Sequence, residues 1–331
     1  MTDADDLLIC HTCGTQFDAP ASNPLPNCGI CDDPRQFVPP TGQKWTSMAE
    51  LRGKHENKWQ EDAEQKGMWS IWTEPKFAIG QRAILIETPE GNVLWDLITY
   101  LDTATIDFVS NTVPSNSQFP PATTSQCSSN SKPRTYLSPP KKKKIKSRGP
   151  LRAIVISHPH YYTAHLQWSA AFDNVPVYTA TEDSSWFSRA DSPTRPSRRL
   201  LTETSTTIVP GVTAIKTGGH FPGSLVLLWK KRLMIADTFV TVPSGLYHKD
   251  RPAGTTSYSF MWSIPNMIPL SPPEIHAMWK AVAPYDWEST HGAFIGMDIR
   301  RPDCKRAVLE SMKIQVKYEG HEGHAIFSEE C

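Results

Sequence analysis

Two histidines, His158 and His160, stand directly after a run of β-branched residues at 154–156. The run predicts a β-strand, and apolar residues at helical spacing follow it within a few positions. A His-x-His pair at the end of a strand places two imidazoles at the rim of a sheet. Because neutral imidazole is the commonest metal ligand in proteins, the pair predicts a metal site.

Three more potential ligands follow in separate blocks. His220 lies in the sequence Gly-Gly-His-Phe-Pro-Gly-Ser, Asp237 follows an apolar run, and His291 lies between a threonine and a glycine. Glycines let a loop pass close to a metal site, and the proline stiffens that loop. A lone histidine is more often a hydrogen-bonded core or surface residue, so the order and context of the blocks decide the interpretation.

These blocks, in this order, resemble the motifs of the metallo-β-lactamase fold hydrolases, whose first motif reads His-x-His-x-Asp-His. The resemblance implies that His158, His160 and His220 bind one ion. It further implies that Asp237 is the bridging aspartate and His291 the last histidine ligand. Asp237 would either ligate the ion or act as the catalytic residue that takes the proton of a water. The implied fold is α/β, a four-layer αββα sandwich.

The chain departs from this motif at Tyr162 and Thr163, which stand where the family has Asp-His. A phenol with a pKa near ~10 is a poor ligand at neutral pH, and a threonine hydroxyl is weaker still. Only Asp237 and His291 would remain for a second ion, so we expect a single ion at the histidines. As a catalytic residue, Tyr162 could donate a hydrogen bond to an oxyanion on the substrate; packing beside the site is the alternative.

Four cysteines form two Cys-x-x-Cys pairs, Cys10 with Cys13 and Cys28 with Cys31. Two such pairs can complete a tetrahedral site of four thiolates, which is typical of structural zinc. A redox pair or surface thiols are the alternative. We expect this ion to bind independently of the histidine site.

The N-terminal pattern also resembles a branch of the same superfamily, in which a four-cysteine module is joined through Asp-Pro-Arg-Gln to Gly-Gln-x-Trp. These sequences lie here at 33–36 and 42–45. The predicted organisation is a zinc-ribbon-like module at 1–34, a linker or helical segment at 35–67, a metallo-β-lactamase-like domain at 68–300, and a C-terminal extension at 301–331.

Strand and helix patterns alternate through the larger domain, as an α/β fold requires. The predicted elements are hairpins at 82–96 and 225–236, strands at 151–157 and 175–179, and helices at 101–109, at 163–172 and from Ser271 onward. Asp96 ends one of these strands. The resemblance implies that it supports a metal-binding histidine from behind, and a turn aspartate is the alternative.

An insertion at 110–149 interrupts this plan. It is rich in Ser, Pro, Asn and Lys and poor in large apolar residues, so we expect it to be disordered. The run at 139–146 within it resembles a nuclear localisation signal, with a solvated charge run as the alternative.

Charge and hydropathy give few indications of a partner. Lys plus Arg and Asp plus Glu number 34 each, so no net field favours nucleic acid. No apolar stretch reaches the length of a membrane span, and the acidic N-terminus lacks a secretory pattern. We expect a cytoplasmic protein, with a nuclear location as the alternative that the basic run leaves open.

The expected function is a zinc-dependent hydrolase acting on an ester, thioester, lactone or amide of a small molecule. The alternative is a non-catalytic metal-binding scaffold, or a protein that binds nucleic acid or another protein, with a degenerate active site. Nothing in the sequence names the substrate, because the fold does not fix it.

Overall fold

A computed structural model of the protein describes residues 4–110, 149–247 and 249–331. Residues 111–148 of the predicted insertion, with its basic run, lie outside the described residues. The N-terminal region forms a small antiparallel sheet in the order β2-β1-β3. Its strands are β1 (Leu7–Cys10), β2 (Gln16–Pro20) and β3 (Trp45–Thr46). A short helix, α1 (Met48–Leu51), follows, and the side chain of Ser47 caps it by accepting from the amide of Glu50.

A seven-stranded sheet comes next in the chain. Its strands are β4 (Glu56–Glu61), β5 (Met68–Glu74), β6 (Ala83–Ile86), β7 (Asn92–Trp95), β8 (Leu151–Val155), β9 (Val177–Ala180) and β10 (Arg198–Leu201). The strands lie side by side in sequence order, antiparallel from β4 to β7 and parallel from β7 to β10. Two helices belong to this half: α2 (Thr103–Ser110) and α3 (His165–Ala171).

Strand β4 corrects the expectation of a linker or helical segment at 35–67. It pairs with β5 along its whole length and forms the edge of the seven-stranded sheet. The charged sequence of β4 does not show the alternation of apolar and polar residues that predicts a strand. Within it, Asn57 is buried, and its side chain donates to the carbonyl of Tyr100 at 2.9 Å. Trp59 stacks on Phe108 of α2 with ring centroids 4.3 Å apart. Contacts with a helix far along the chain therefore define this strand.

The second large sheet has six strands in the order β11-β12-β13-β14-β19-β20. The remaining elements in chain order are β11 (Ser205–Val209), β12 (Val212–Lys216), β13 (Leu225–Trp229), β14 (Arg232–Ala236), β15 (Val240–Thr241), β16 (Tyr258–Ser259), β17 (Met261–Ser263), β18 (Ile268–Pro269), α4 (Pro272–Val282), β19 (Ser289–Gly292), β20 (Asp298–Arg300) and α5 (Cys304–Tyr318). The four strands β15 to β18 form two small ribbons. The helix predicted from Ser271 onward is present as α4, and Ser271 and Glu274 form a capping box at its start.

The alternation of side chains along β13 shows how the layers stack. Leu225 and Leu227 belong to the core between the two large sheets, whereas Val226 belongs to a second core with α4 and α5. Successive residues of a strand point to opposite faces, so the second sheet has one face on the first sheet and the other under helices. The four-layer αββα sandwich implied by the resemblance is confirmed.

The C-terminal residues join this outer layer. Val308, Met312 and Val316 of α5 are buried with α4 in the second core. His324 accepts a hydrogen bond from the amide of Ile326, which caps a final 3-10 turn. None of the described helices is long and apolar enough to cross a membrane.

Arg82 links the two large sheets. It lies just before β6, and its guanidinium donates to the carbonyl of Gly292 in β19 at 2.9 Å and forms an ion pair with Asp298 of β20. The side chains of Arg82 and Asp298 are only 4% and 10% exposed. Removing one member of a buried pair leaves its partners without compensation.

We therefore predict that Arg82→Leu lowers the free energy of unfolding by about 3–5 kcal/mol. Denaturant unfolding followed by circular dichroism measures this change. Arg195→Leu is the matched control, because the ion pair of Arg195 with Asp173 is 63% and 91% exposed, and its loss should cost less than about 1 kcal/mol. Equal effects of the two substitutions would contradict the role assigned to Arg82.

Candidate metal centres

The first centre forms where strands of both large sheets end. His158 follows β8 in extended backbone, and a 3-10 turn at Pro159–Tyr161 then brings His160 round to the same side. Asp237 directly follows β14 of the other sheet. The amide of Leu225 donates to the carbonyl of Ser157 at 2.9 Å, which joins the two sheets beside these residues.

Four of the predicted ligands meet at this point. The ligand atoms of His158, His160, His220 and Asp237 all lie within 4.8 Å of one another, and all four residues are buried. Nδ1 of His160 lies 3.2 Å from Nε2 of His220, and Nε2 of His158 lies 3.4 Å from a carboxylate oxygen of Asp237. We name this group the histidine centre.

The protonation states suit a cation. Burial lowers the pKa of His160 well below its ordinary value and lowers that of His220 to about 4. Burial alone would raise the pKa of Asp237, but its contacts with His158 and His220 hold it below its usual value. Two neutral imidazoles and a carboxylate thus offer lone pairs toward one point, with His158 beside them. Nε2 of His158 is buried without a hydrogen-bond partner among the described residues, so the residues fit a metal ion.

Outer contacts fix the orientation of two of the rings. Nδ1 of His158 lies 2.9 Å from the hydroxyl of Ser157, and Nδ1 of His220 donates to the carbonyl of Met261 at 3.0 Å. Asp96 accepts from the amide of Ser157 at 2.7 Å, so it supports His158 through Ser157 and not by direct contact. Such outer partners fix the tautomer that leaves the inner nitrogen free to bind an ion.

Tyr162 and Thr163 do not face the centre. The hydroxyl of Tyr162 donates to the carbonyl of Asp183 at 2.9 Å, and its ring packs on Phe187. The carbonyl of Thr163 accepts from the amide of Gln16 in the N-terminal sheet. This placement differs from the expected oxyanion role of Tyr162, because the 3-10 turn directs that side chain away from Asp237.

Tyr161 is the tyrosine that reaches the centre, and the sequence analysis missed it. Its hydroxyl lies 3.3 Å from both carboxylate oxygens of Asp237. Burial raises the pKa of Tyr161 well above its ordinary value, so the hydroxyl stays protonated and donates. The sequence signal was present, since two tyrosines follow the histidine pair, but it did not show which one points inward.

His291 lies elsewhere, which differs from its expected place as a ligand beside Asp237. Its ring contacts the hydroxyl of Ser289 at 3.0 Å and Asp298 at 3.5 Å. Asp62, His291 and Asp298 form a separate group that could hold a metal by distance alone. Arg82 and Arg300 already pair with these carboxylates, so the group is better described as an ion-pair network.

The four paired cysteines form the second centre. Sγ of Cys10 lies 3.7 Å from that of Cys31, and Sγ of Cys13 lies 3.6 Å from that of Cys28. Four thiolates that bind one zinc ion tetrahedrally, with Zn–S bonds of about 2.3 Å, have their sulfurs at about this separation. The separation is far longer than the S–S bond of a disulfide. Burial raises the pKa of Cys13, so its thiolate needs a cation. The amide of Gln43 donates to Cys10 at 3.3 Å, as expected around a ligating sulfur.

The segment after Cys31 reaches the histidine centre, which the sequence did not predict. The amide nitrogen of Gln36 lies 3.0 Å from both ring nitrogens of His160. Arg35 donates to the carbonyl of His220 at 3.0 Å, and its guanidinium lies 4.8 Å from the rings of Phe221 and Trp262. The polar sequence Asp-Pro-Arg-Gln was the available signal.

Comparisons with known proteins give one relative at substantial identity. No protein-family model matches the chain. The uncharacterized protein YmaE of Bacillus subtilis is 33% identical over 293 residues, which cover 86% of this chain and 88% of that protein.

Similar solved structures share far less sequence. They include the metallo-β-lactamase DIM-1, with 10% identity and a TM-score of 0.49 over 80% of this chain and 98% of that one. The FIM-1 metallo-β-lactamase of Pseudomonas aeruginosa in its mono-zinc form has 15% identity and a TM-score of 0.45 over 80% and 96%. The Flv1 flavodiiron core of Synechocystis has 10% identity and a TM-score of 0.49 over 80% and 62%.

The fold consists of two facing sheets with helices outside them, and the histidines lie where strands of both sheets end. The match with YmaE covers most of both chains. The chain belongs to the same family as YmaE, and its fold is the four-layer αββα sandwich that its motifs imply.

Proposed function

We propose that the protein is a metal-dependent hydrolase that binds zinc at the histidine centre and cleaves an ester, thioester, lactone or amide of a small molecule. The observation that carries this proposal is the convergence of three buried imidazoles and one carboxylate, in which the inner nitrogen of His158 makes no hydrogen bond to the described residues. Zinc prefers such nitrogen and oxygen donors, and the four cysteines suit a second, structural zinc.

Each residue of the histidine centre has its own role in the proposed reaction. His158, His160 and His220 would hold the ion, which supplies Lewis acidity and lowers the pKa of a water toward ~7. Asp237 is the base or additional ligand beside that water. The hydroxyl of Tyr161, which donates toward both oxygens of Asp237, orients the carboxylate and stays protonated. Tyr161, and not Tyr162, is thus the tyrosine to which we assign a polar role beside the centre.

A second candidate is a non-catalytic metal-binding scaffold. The observation that favours it is burial, because the four residues of the histidine centre are each 8% exposed or less and the segment with Arg35 and Gln36 lies on them. Metal content together with a panel of generic ester and thioester substrates separates the two candidates. Bound metal without any turnover would favour the scaffold.

We predict that the purified chain holds two ions, one at the cysteines and one at the histidine centre. Substituting His160 by alanine should lower the count to one and abolish hydrolysis, because two imidazoles remain. His291→Ala should keep the ion, since His291 contacts Asp298 and not the centre. Elemental analysis of the dialysed proteins measures the count.

The exposed His321 gives the control for that series, and His321→Ala should change neither metal nor activity. A third tightly bound ion in the unmodified chain would contradict the single-ion centre. Loss of metal in the His291→Ala variant would show that His291 is a ligand of the histidine centre.

We predict that Tyr161→Phe retains the metal but lowers turnover by about 10- to 100-fold, the range usual for outer partners of a metal site. The reason is that Asp237 loses the donor that orients its carboxylate. Steady-state kinetics over a range of pH, with metal content measured in parallel, checks this. Tyr162→Phe is the matched comparison and should leave the pH profile of turnover unchanged, because its hydroxyl donates to a backbone carbonyl.

A further inference from the structure

One imidazole in the histidine centre contacts a side chain from a distant part of the chain. His158 is held by its neighbour Ser157 and His220 by the carbonyl of Met261. His160 instead meets Gln36, which lies 124 residues earlier in the sequence and follows the second cysteine pair. The proposed metal ligand is therefore oriented by a residue outside the sandwich.

The geometry around His160 shows what Gln36 must do. Nδ1 of His160 faces Nε2 of His220 at 3.2 Å, so Nδ1 is the nitrogen turned toward the ion. Its Nε2 then carries the proton and needs an acceptor, because a buried donor without a partner costs about 1–3 kcal/mol. The side-chain amide nitrogen of Gln36 lies 3.0 Å from Nε2 of His160 and 3.0 Å from Nδ1, and a half-turn of the amide group exchanges this nitrogen for the acceptor oxygen.

Several contacts hold Gln36 in this place. Its carbonyl accepts from the side-chain amide of Asn266 at 3.2 Å, and its own amide donates to the carbonyl of Asp33 at 2.8 Å. The carbonyl of Arg35 accepts from the hydroxyl of Ser263 at 2.9 Å. The segment is thus attached to the β17 region on one side of the centre, while Arg35 packs on the aromatic rings beside His220.

The same segment is attached to the cysteine centre at its other end. The amide of Asp32 donates to the carbonyl of Cys28 at 2.8 Å, and Trp186 donates to the carboxylate of Asp33 at 3.1 Å. Cys28 and Cys31 are buried in the small core of the N-terminal region. Only a short stretch of chain therefore separates a cysteine ligand from the residue that contacts His160.

We propose that Gln36 is a positioning residue of the histidine centre: its amide oxygen accepts a hydrogen bond from Nε2 of His160 and turns Nδ1 of that ring toward the ion. The segment that follows the four-cysteine module then contributes to the histidine centre. This coupling differs from the independent binding of the two ions expected from the sequence. It rests on the proposed metal centre, but concerns ion binding and not the hydrolytic reaction.

Two substitutions of Gln36 test the proposal through metal binding. Gln36→Leu removes the acceptor and should weaken binding of Zn²⁺ at the histidine centre about 10- to 100-fold. Gln36→Glu keeps an acceptor and should restore at least the original affinity. A residue that merely packs there would show the opposite order, because a carboxylate at a partly buried packing position costs more than leucine. Competition with a chelator measures the affinity, and no substrate is needed.

Cobalt substitution separates the two centres. Thiolate-to-cobalt absorption reports the cysteines alone, so it should stay unchanged in Gln36→Leu while the ligand-field bands of the histidine centre shift. Gln60→Leu is the matched control, since Gln60 is an exposed glutamine on β4, and should change neither signal.

Unchanged affinity and cobalt spectrum in Gln36→Leu, or failure of Gln36→Glu to recover affinity, would overturn the positioning role. An unmodified protein that binds no ion at its histidines would instead sink the proposed function. The two failures are therefore distinguishable.

Discussion

The burial of three imidazoles beside one carboxylate is the constraint on which the rest of the structure depends. Groups of this kind are costly in an apolar interior unless they are paired, hydrogen-bonded or bound to a metal. The protein meets this requirement at the line where its two large sheets meet, with a backbone hydrogen bond between Ser157 and Leu225 at the same place. His158 and His220 each have a partner on the outer side of the ring, and Gln36 lies beside both ring nitrogens of His160. The inner nitrogen of His158 lies beside Asp237.

The altered motif is part of this arrangement. In place of Asp-His the chain has Tyr162 and Thr163, whose contacts are with Asp183, Phe187 and the N-terminal sheet. Of these two positions, Thr163 meets the N-terminal sheet through its backbone carbonyl, and Tyr162 packs within the larger domain. The segment after the second cysteine pair brings Gln36 to His160.

Electrostatics separates the histidine centre from the group around His291. Both groups contain histidine and aspartate at ligand distances. Around Asp298, however, Arg82 and Arg300 supply the positive charge, and the ion pair of Arg82 with Asp298 joins the two large sheets. At the histidine centre Arg35 packs on aromatic rings and donates to a backbone carbonyl, whereas Asp237 contacts Tyr161 and His158.

The sequence by itself predicted alternating strands and helices, the cysteine cluster and the His158–His160 pair, because strand periodicity, Cys-x-x-Cys spacing and a His-x-His pair are local patterns. The four-layer sandwich and the places of His220 and Asp237 were implied by the resemblance to the metallo-β-lactamase fold hydrolases. The sequence did not determine β4, whose charged residues become a strand only through Asn57, Trp59 and their distant partners. Only the tertiary structure decided that Tyr161 and not Tyr162 faces Asp237, that His291 belongs to an ion-pair network, and that Gln36 reaches His160. The physical reason is the same in each case: a side chain's direction at a turn, and contacts between distant parts of the chain, are set by packing and leave no periodic signal in the sequence.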